Sequence, residues 1–212
     1  MKLTVLGATG GTGRHVVRRA LDAGHHVTAV VRDPARLAIG AADRLDVVTA
    51  DPLDPEALAP AVSGRDAVID TLGPRPKDKS GICSRGAASA VAAMTASNRG
   101  ARLIVVSGSV HARDAGDGPI TRYVLKPVIG RLVLKDQVDD FQRTERIVFD
   151  SGLRWTVMRP PQLVDGDRRP YRTAVDRNVR GGLKISRADL ADAIMVALAD
   201  PKTVGHVVGM GY

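Results

Sequence analysis

The chain is poor in the residues that build several kinds of functional site. It has one cysteine in 212 residues, so no internal disulfide can form and no thiolate cluster can hold a metal. Cys83 reads as a small packed or helix-start residue, and no metal is expected. Aromatic residues make up only 3% of the chain. The core must then come mainly from Val, Leu, Ile and Ala, and little is left to stack on nucleic-acid bases. No apolar run reaches bilayer-crossing length, and Met1-Lys2-Leu3 leads into a strand without a secretory-signal pattern. The expectation is a cytoplasmic protein with no membrane partner. Acidic residues are outnumbered, 23 against 31 Lys and Arg, for a formal charge of +8. Those cations are spread along the chain and no helix-turn-helix is evident, so nucleic acid is not the expected partner.

What the chain does have is glycine at a particular place. The apolar run Leu3-Thr4-Val5-Leu6 is followed by Gly7-Ala8-Thr9-Gly10-Gly11-Thr12-Gly13, in which Gly7, Gly10 and Gly13 have the spacing G-x-x-G-x-x-G. The three glycines serve different physical ends, which are a tight turn off the strand, close approach of backbone to a pyrophosphate, and close helix–strand packing. Val16, Val17, Ala20, Leu21 and Ala23 then recur at helical spacing, Gly24 supplies a stop, and residues 26–31 read as a second buried strand. A complete βαβ unit is therefore expected, with the first amides of its helix aimed at a phosphate.

The end of the second strand bears on which dinucleotide fits. A carboxylate there accepts from a ribose 2′-hydroxyl, whereas an arginine suits a 2′-phosphate. The chain has Arg32 and then Asp33. A guanidinium forks onto phosphate oxygens at any working pH, which favours NADP(H) over NAD(H). In the alternative reading Arg32 is a solvated loop residue and Asp33 takes the ribose.

Strands and helices continue to alternate: strands at 44–50, 67–70 and 102–107, a short helix opened by Asp54-Pro55-Glu56, and a long alanine-rich helix at 83–98. This is the pattern of an α/β fold, a doubly wound, mostly parallel sheet with helices on both faces, formed as one Rossmann domain over 1–212. Ligands of such sheets lie beyond the carboxyl ends of the strands. The candidate cofactor-binding residues are accordingly 7–13, Arg32, Asp33, Asp51, Pro52, Leu53, Thr71, Leu72, Gly73, Ser107, Gly108, Met158, Arg159 and Pro160. Asp51 suits the adenine amino group or, equally, strand-end turn chemistry. The helix at 136–150 has an apolar face that can pack internally or form a dimer, leaving monomer and homodimer both open.

These residues resemble the atypical short-chain dehydrogenase/reductases, and within them the NAD(P)H-binding group that includes NmrA-like proteins and biliverdin-IXβ and flavin reductases. The likeness is carried by the glycine loop, Val31-Arg32-Asp33-Pro34, Asp51-Pro52-Leu53-Asp54, the stretch 151–161 (Ser-Gly-Leu-Arg-Trp-Thr-Val-Met-Arg-Pro-Pro) and Ile185-Ser186-Arg187-Ala188-Asp189-Leu190-Ala191. It implies a nicotinamide held between the strand-five segment and the Pro160-Pro161 turn. The flavin and biliverdin reductase branch usually has a histidine just after that proline pair, where this chain has Gln162.

The chain also lacks the Tyr-x-x-x-Lys pair of ordinary short-chain dehydrogenases, because Tyr123 is followed by Lys126 and Pro127. Without that acid, simple alcohol oxidation is disfavoured. Hydride transfer to a conjugated acceptor needs mainly positioning, since a flavin, quinone or linear tetrapyrrole delocalises the charge and takes its proton from water. Ser107 and Ser109 are candidate catalytic donors to an acceptor oxygen, with strand-end capping as their alternative role. His111, a little further along, is a proton donor in principle or, as a lone loop histidine, a surface residue. Substrate contacts are expected from Pro161, Gln162, Arg168 and Arg172, with a substrate-side lid around 108–135 and 162–184. The cations of the second segment suit an anionic small molecule or are simply solvated. The leading expectation is an NADPH-dependent reductase. A non-catalytic NADP(H) sensor of NmrA type is the alternative, and a nucleotide-sugar epimerase or dehydratase stands third, since it needs the missing acid pair.

Overall fold

The computed structural model describes residues 1–212 except 75–79, 98–99, 113, 115, 120, 122, 124–127 and 129–133. Lys126 and Pro127, and parts of the expected lid at 108–135, lie outside the described residues. The elements in chain order are β1 (Lys2–Leu6), α1 (Gly11–Asp22), β2 (His26–Val31), β3 (Leu45–Thr49), α2 (Pro55–Val62), β4 (Ala67–Asp70), α3 (Ile82–Ser97), β5 (Arg102–Val106), α4 (Lys135–Phe149), β6 (Arg154–Arg159), β7 (Gln162–Val164), β8 (Arg172–Val175), β9 (Lys184–Ser186), α5 (Arg187–Ala199) and β10 (His206–Gly211).

Eight strands form one sheet in the order β3-β2-β1-β4-β5-β6-β10-β8, and β7 pairs with β9 in a separate parallel ribbon. All neighbours in the large sheet are parallel except β10 and β8. The chain leaves β1 outward to β2 and β3, then returns to lay β4 on the other side of β1. That reversal opens a crevice above the carboxyl ends of β1 and β4.

The inner strands are apolar throughout because both faces are covered. Along them, side chains alternate between two cores. Val5, Ala29, Ile69, Ile104 and Met158 pack with Val16, Val17 and Ala20 of α1 and Leu190 and Ile194 of α5. Val30, Val68, Leu103, Val105 and Val157 pack with Leu58 of α2, Met94 of α3 and Val148 of α4. Each fully buried Leu, Ile or Met contributes about 2 kcal/mol. At the amino ends of the strands, Arg102 is buried at the start of β5. It donates to the carbonyls of Leu198 and Asp200 and to the hydroxyls of Thr156 and Thr203, pinning the end of α5. Function is left to the opposite rim. Among the described residues, no helix is long and apolar enough to cross a membrane.

Candidate functional site

The loop after β1 is folded tightly on itself. Gly7 takes φ 76°, a left-handed conformation that glycine adopts without steric cost, and its carbonyl accepts from Gly10 N at 2.8 Å. A Cβ at Gly13 would lie 2.1 Å from that same carbonyl oxygen and 2.8 Å from Thr71 Oγ1. Thr71 ties the loop to the end of β4, since its amide and hydroxyl both donate to Leu6 O, at 3.1 and 2.7 Å. Ala8 and Thr12 are buried, and Thr9 is exposed.

The helix that starts here has Gly10 at its N-cap and no side-chain cap. By contrast, Asp54 caps α2 and Ser186 caps α5. The first amides of a helix have no partner within it, and a diphosphate satisfies them. The close packing at Gly13 sets the first turn of α1 against the ends of β1 and β4, and that turn, with no side-chain cap, fits the pyrophosphate of a dinucleotide.

Beside this loop the ends of β2 and β3 are in register, Val31 opposite Thr49, which brings the 32–33 and 51–53 segments together. Asp33 accepts from Ala35 N at 3.1 Å and caps the 3₁₀ turn Pro34–Arg36. Arg32 is exposed, and its guanidinium has no partner among the described residues. Asp51 accepts from Leu53 N at 3.0 Å, which is turn chemistry on one oxygen. Pro52 is buried and Leu53 half-buried.

On the other side of the crevice the β5–β6 pairing continues past both strands. Ser107 N donates to Met158 O at 2.9 Å and Ser109 N to Pro160 O at 2.8 Å. A Cβ at Gly108 would meet the Phe141 ring at 2.7 Å. Thr71 and Leu72 are half-buried, Gly73 is exposed, and Leu72 N donates to Asp70 at 2.9 Å. Burial pushes the Asp70 carboxyl up to about 7, against the opposing effect of that Leu72 amide.

Beneath this rim lies a cluster that the strand-end pattern does not reveal. Ser107 Oγ donates to Glu145 Oε1 at 2.7 Å. Arg159 donates from Nε to the same oxygen at 2.7 Å and from Nη2 to the other. His111 Nε2 lies 3.1 Å from Glu145 Oε2, close enough for ion pairing although neither ring nitrogen has a well-directed hydrogen bond. Burial alone would raise the Glu145 carboxyl, but the hydrogen bonds and charge of Arg159, with His111 close beside it, outweigh burial and hold the group at about 2.

The surface reading of His111 is thus corrected, since its side chain is only 6% exposed. Ser107 directs its only proton at Glu145, so it has no donor left for an acceptor oxygen. The hydroxyl of Ser109 has no partner among the described residues. Arg159 is engaged with Glu145. A signal for Glu145 was present in the sequence, since Asp140, Thr144, Glu145 and Val148 share one buried face of α4. A carboxylate on that face needs a cation, which the last residue of β6 supplies.

The expected substrate residues are less concentrated. Pro161 is half-buried, and Gln162 is exposed at the start of β7. Arg168 pairs with Asp192 on α5, and Arg172 donates to Tyr212 O at 2.8 Å beside the outer edge strand β8. Both cations are engaged within the chain and are not brought to Ser107. The segments 108–135 and 162–184 do meet, because Asn178 N donates to Asp114 at 3.0 Å and its side-chain amide to Ala112 O at 3.2 Å.

The chain belongs to the NAD(P)H-binding family, whose profile matches residues 7–201. It is similar to the photosystem II assembly factor Ycf39 of Cyanophora paradoxa, 39% identical over 82 residues. That match covers 39% of this chain and 26% of the relative, so the chain spans about a quarter of it. Among solved structures it is similar to a short-chain dehydrogenase/reductase of Veillonella parvula in complex with NADP, with 20% identity, coverage of 100% of this chain and 94% of that one, and a TM-score of 0.79. A candidate NADH-flavin reductase of Streptococcus pneumoniae gives 21% identity, coverage of 100% and 99%, and a TM-score of 0.76. At these identities the two structures show the shared Rossmann fold.

Proposed function

We propose that this member of the NAD(P)H-binding family is an NADPH-dependent reductase of a conjugated acceptor, a flavin, quinone or linear tetrapyrrole. The observation that carries the reading is the division of labour after β2: Asp33 caps a turn while the neighbouring exposed Arg32 guanidinium has no partner among the described residues. A free guanidinium at that place favours a 2′-phosphate over a bare ribose. The amides of the first turn of α1 would hold the diphosphate. Bound there, the reduced nicotinamide supplies a hydride to the acceptor.

The chain's own residues orient and exclude water. The Ser107–Glu145–Arg159 cluster fixes the β5 and β6 rims against each other, and the hydroxyl of Ser109 remains available to an acceptor oxygen. His111 can hold a proton, with Glu145 ionised beside it at neutral pH. An acceptor that spreads the incoming charge does not require a phenol–ammonium pair.

The test is oxidation of NADPH, followed by its absorbance, on adding FMN, a quinone or biliverdin to the purified chain. Turnover with at least one acceptor is expected, faster with NADPH than with NADH. The sensor reading draws on one specific observation, that the proton of Ser107 and the ring of His111 are both held inside the protein. No turnover across the panel, with equal affinity for NADP⁺ and NADPH, would select the sensor.

A further inference from the structure

The glycine loop has a side-chain cation lying against it. Gly11 lies outside the left-handed region of backbone conformation, so it is glycine for space: a Cβ there would fall 2.7 Å from both Cδ and Nε of Arg187. Arg187 is the first residue of α5, directly after the Ser186 cap. Because α5 packs along α1, the first turns of the two helices stand side by side. Arg187 Nη1 donates to Asp165 Oδ1 at 2.9 Å, with the Asp165 side chain 76% exposed and that of Arg187 29% exposed. A pair with so exposed a carboxylate is screened by water and weak, so Arg187 is steadied over the loop without being locked there. The surroundings are otherwise cationic. His15 on α1 is lowered first by burial and then by Arg14 and Arg18, and Asp165 is the carboxylate that opposes them.

We propose that Arg187 is a further ligand of the dinucleotide's diphosphate, held ready by Asp165 and transferred from that carboxylate to the phosphate oxygens when the coenzyme binds. The proposal rests on the dinucleotide reading above and extends it. A guanidinium presents parallel donors that match two phosphate oxygens, while the α1 amides supply donors from the other side. Arg32 and Arg187 then recognise different phosphates of one ligand, and their contributions are separable.

Calorimetric titration of the wild type, Arg187→Met, Arg187→Lys and Asp165→Asn with NADPH, ADP-ribose and 2′-AMP tests this. Arg187→Met is expected to weaken NADPH and ADP-ribose about tenfold each, as expected for losing a charge-assisted contact. Arg187→Lys recovers part of the loss, Asp165→Asn tightens both ligands about threefold by removing the competitor, and 2′-AMP, which has no diphosphate, is unaffected throughout. ADP-ribose bound by Arg187→Met as tightly as by the wild type would overturn the proposal. So would a parallel loss of 2′-AMP, which would make Arg187 a packing residue. A wild type that binds no dinucleotide is a different result, one that removes the parent reading and this one together.

Discussion

Two buried carboxylates give this protein opposite responses to pH. Glu145 titrates near 2 in the folded chain, below the 4.5 of a free glutamate. Its depressed value contributes stability that is full above about pH 4.5 and is lost as pH falls toward 2. Asp70 titrates near 7, above its ordinary 3.8. Between about pH 4 and 7 the folded chain therefore keeps a proton that the unfolded chain has released, and stability falls as pH rises. The two effects are about 3 kcal/mol for Glu145 and about 4 kcal/mol for Asp70. Urea midpoints measured against pH should therefore peak near pH 4 to 5, and Asp70→Asn should flatten the descending limb up to pH 8. An unchanged limb in that variant would show that Asp70 is ionised in the folded protein. Residues of this kind are hard to read from a sequence. The tight glycine turn is legible because its conformation follows from position at a strand end. The burial of His111 and the Glu145–Arg159 pair depend on α4 lying across β5 and β6, which local spacing does not encode.

Among the elements, the strand–loop–helix–strand unit from β1 to β2 was the most legible, because buried parallel strands and glycine turns are local signals. Its geometry makes a sharp contrast between neighbouring glycines. Gly13→Ala drives a methyl to 2.1 Å from the Gly7 carbonyl, a backbone group, whereas Gly11→Ala meets only Cδ and Nε of the movable Arg187 side chain. Denaturant unfolding should show a loss of about 3 kcal/mol for the first variant and almost none for the second; equal losses would contradict the loop geometry. Less legible was how α3 begins. Its first turn is capped from another helix, with Asp140 of α4 accepting from Cys83 N and Ser84 N at 3.0 Å each. No residue pattern within α3 announces a cap supplied from 57 positions away. The strands β7, β8 and β9 span three or four residues. They fall in the irregular stretch after β6 because so short a segment carries too little alternation to be told from a loop.

For the whole molecule, sheet order matters more than any one residue. The reversal at β1 places the glycine loop, the Arg32 turn and the Ser107 rim around one crevice, while Arg172 lies on the edge strand β8 and Arg168 pairs with Asp192 of α5. A ligand bound only by the folded crevice stabilises the chain through mass action, by about 2.7 kcal/mol at a hundredfold excess over its dissociation constant. The most direct test is a calorimetric titration of the purified wild-type chain with NADPH and, separately, with NADH. Both nucleotides are expected to bind, with NADPH tighter by about tenfold through the Arg32 fork. Absence of binding by either nucleotide, or equal dissociation constants for the two, would contradict that expectation.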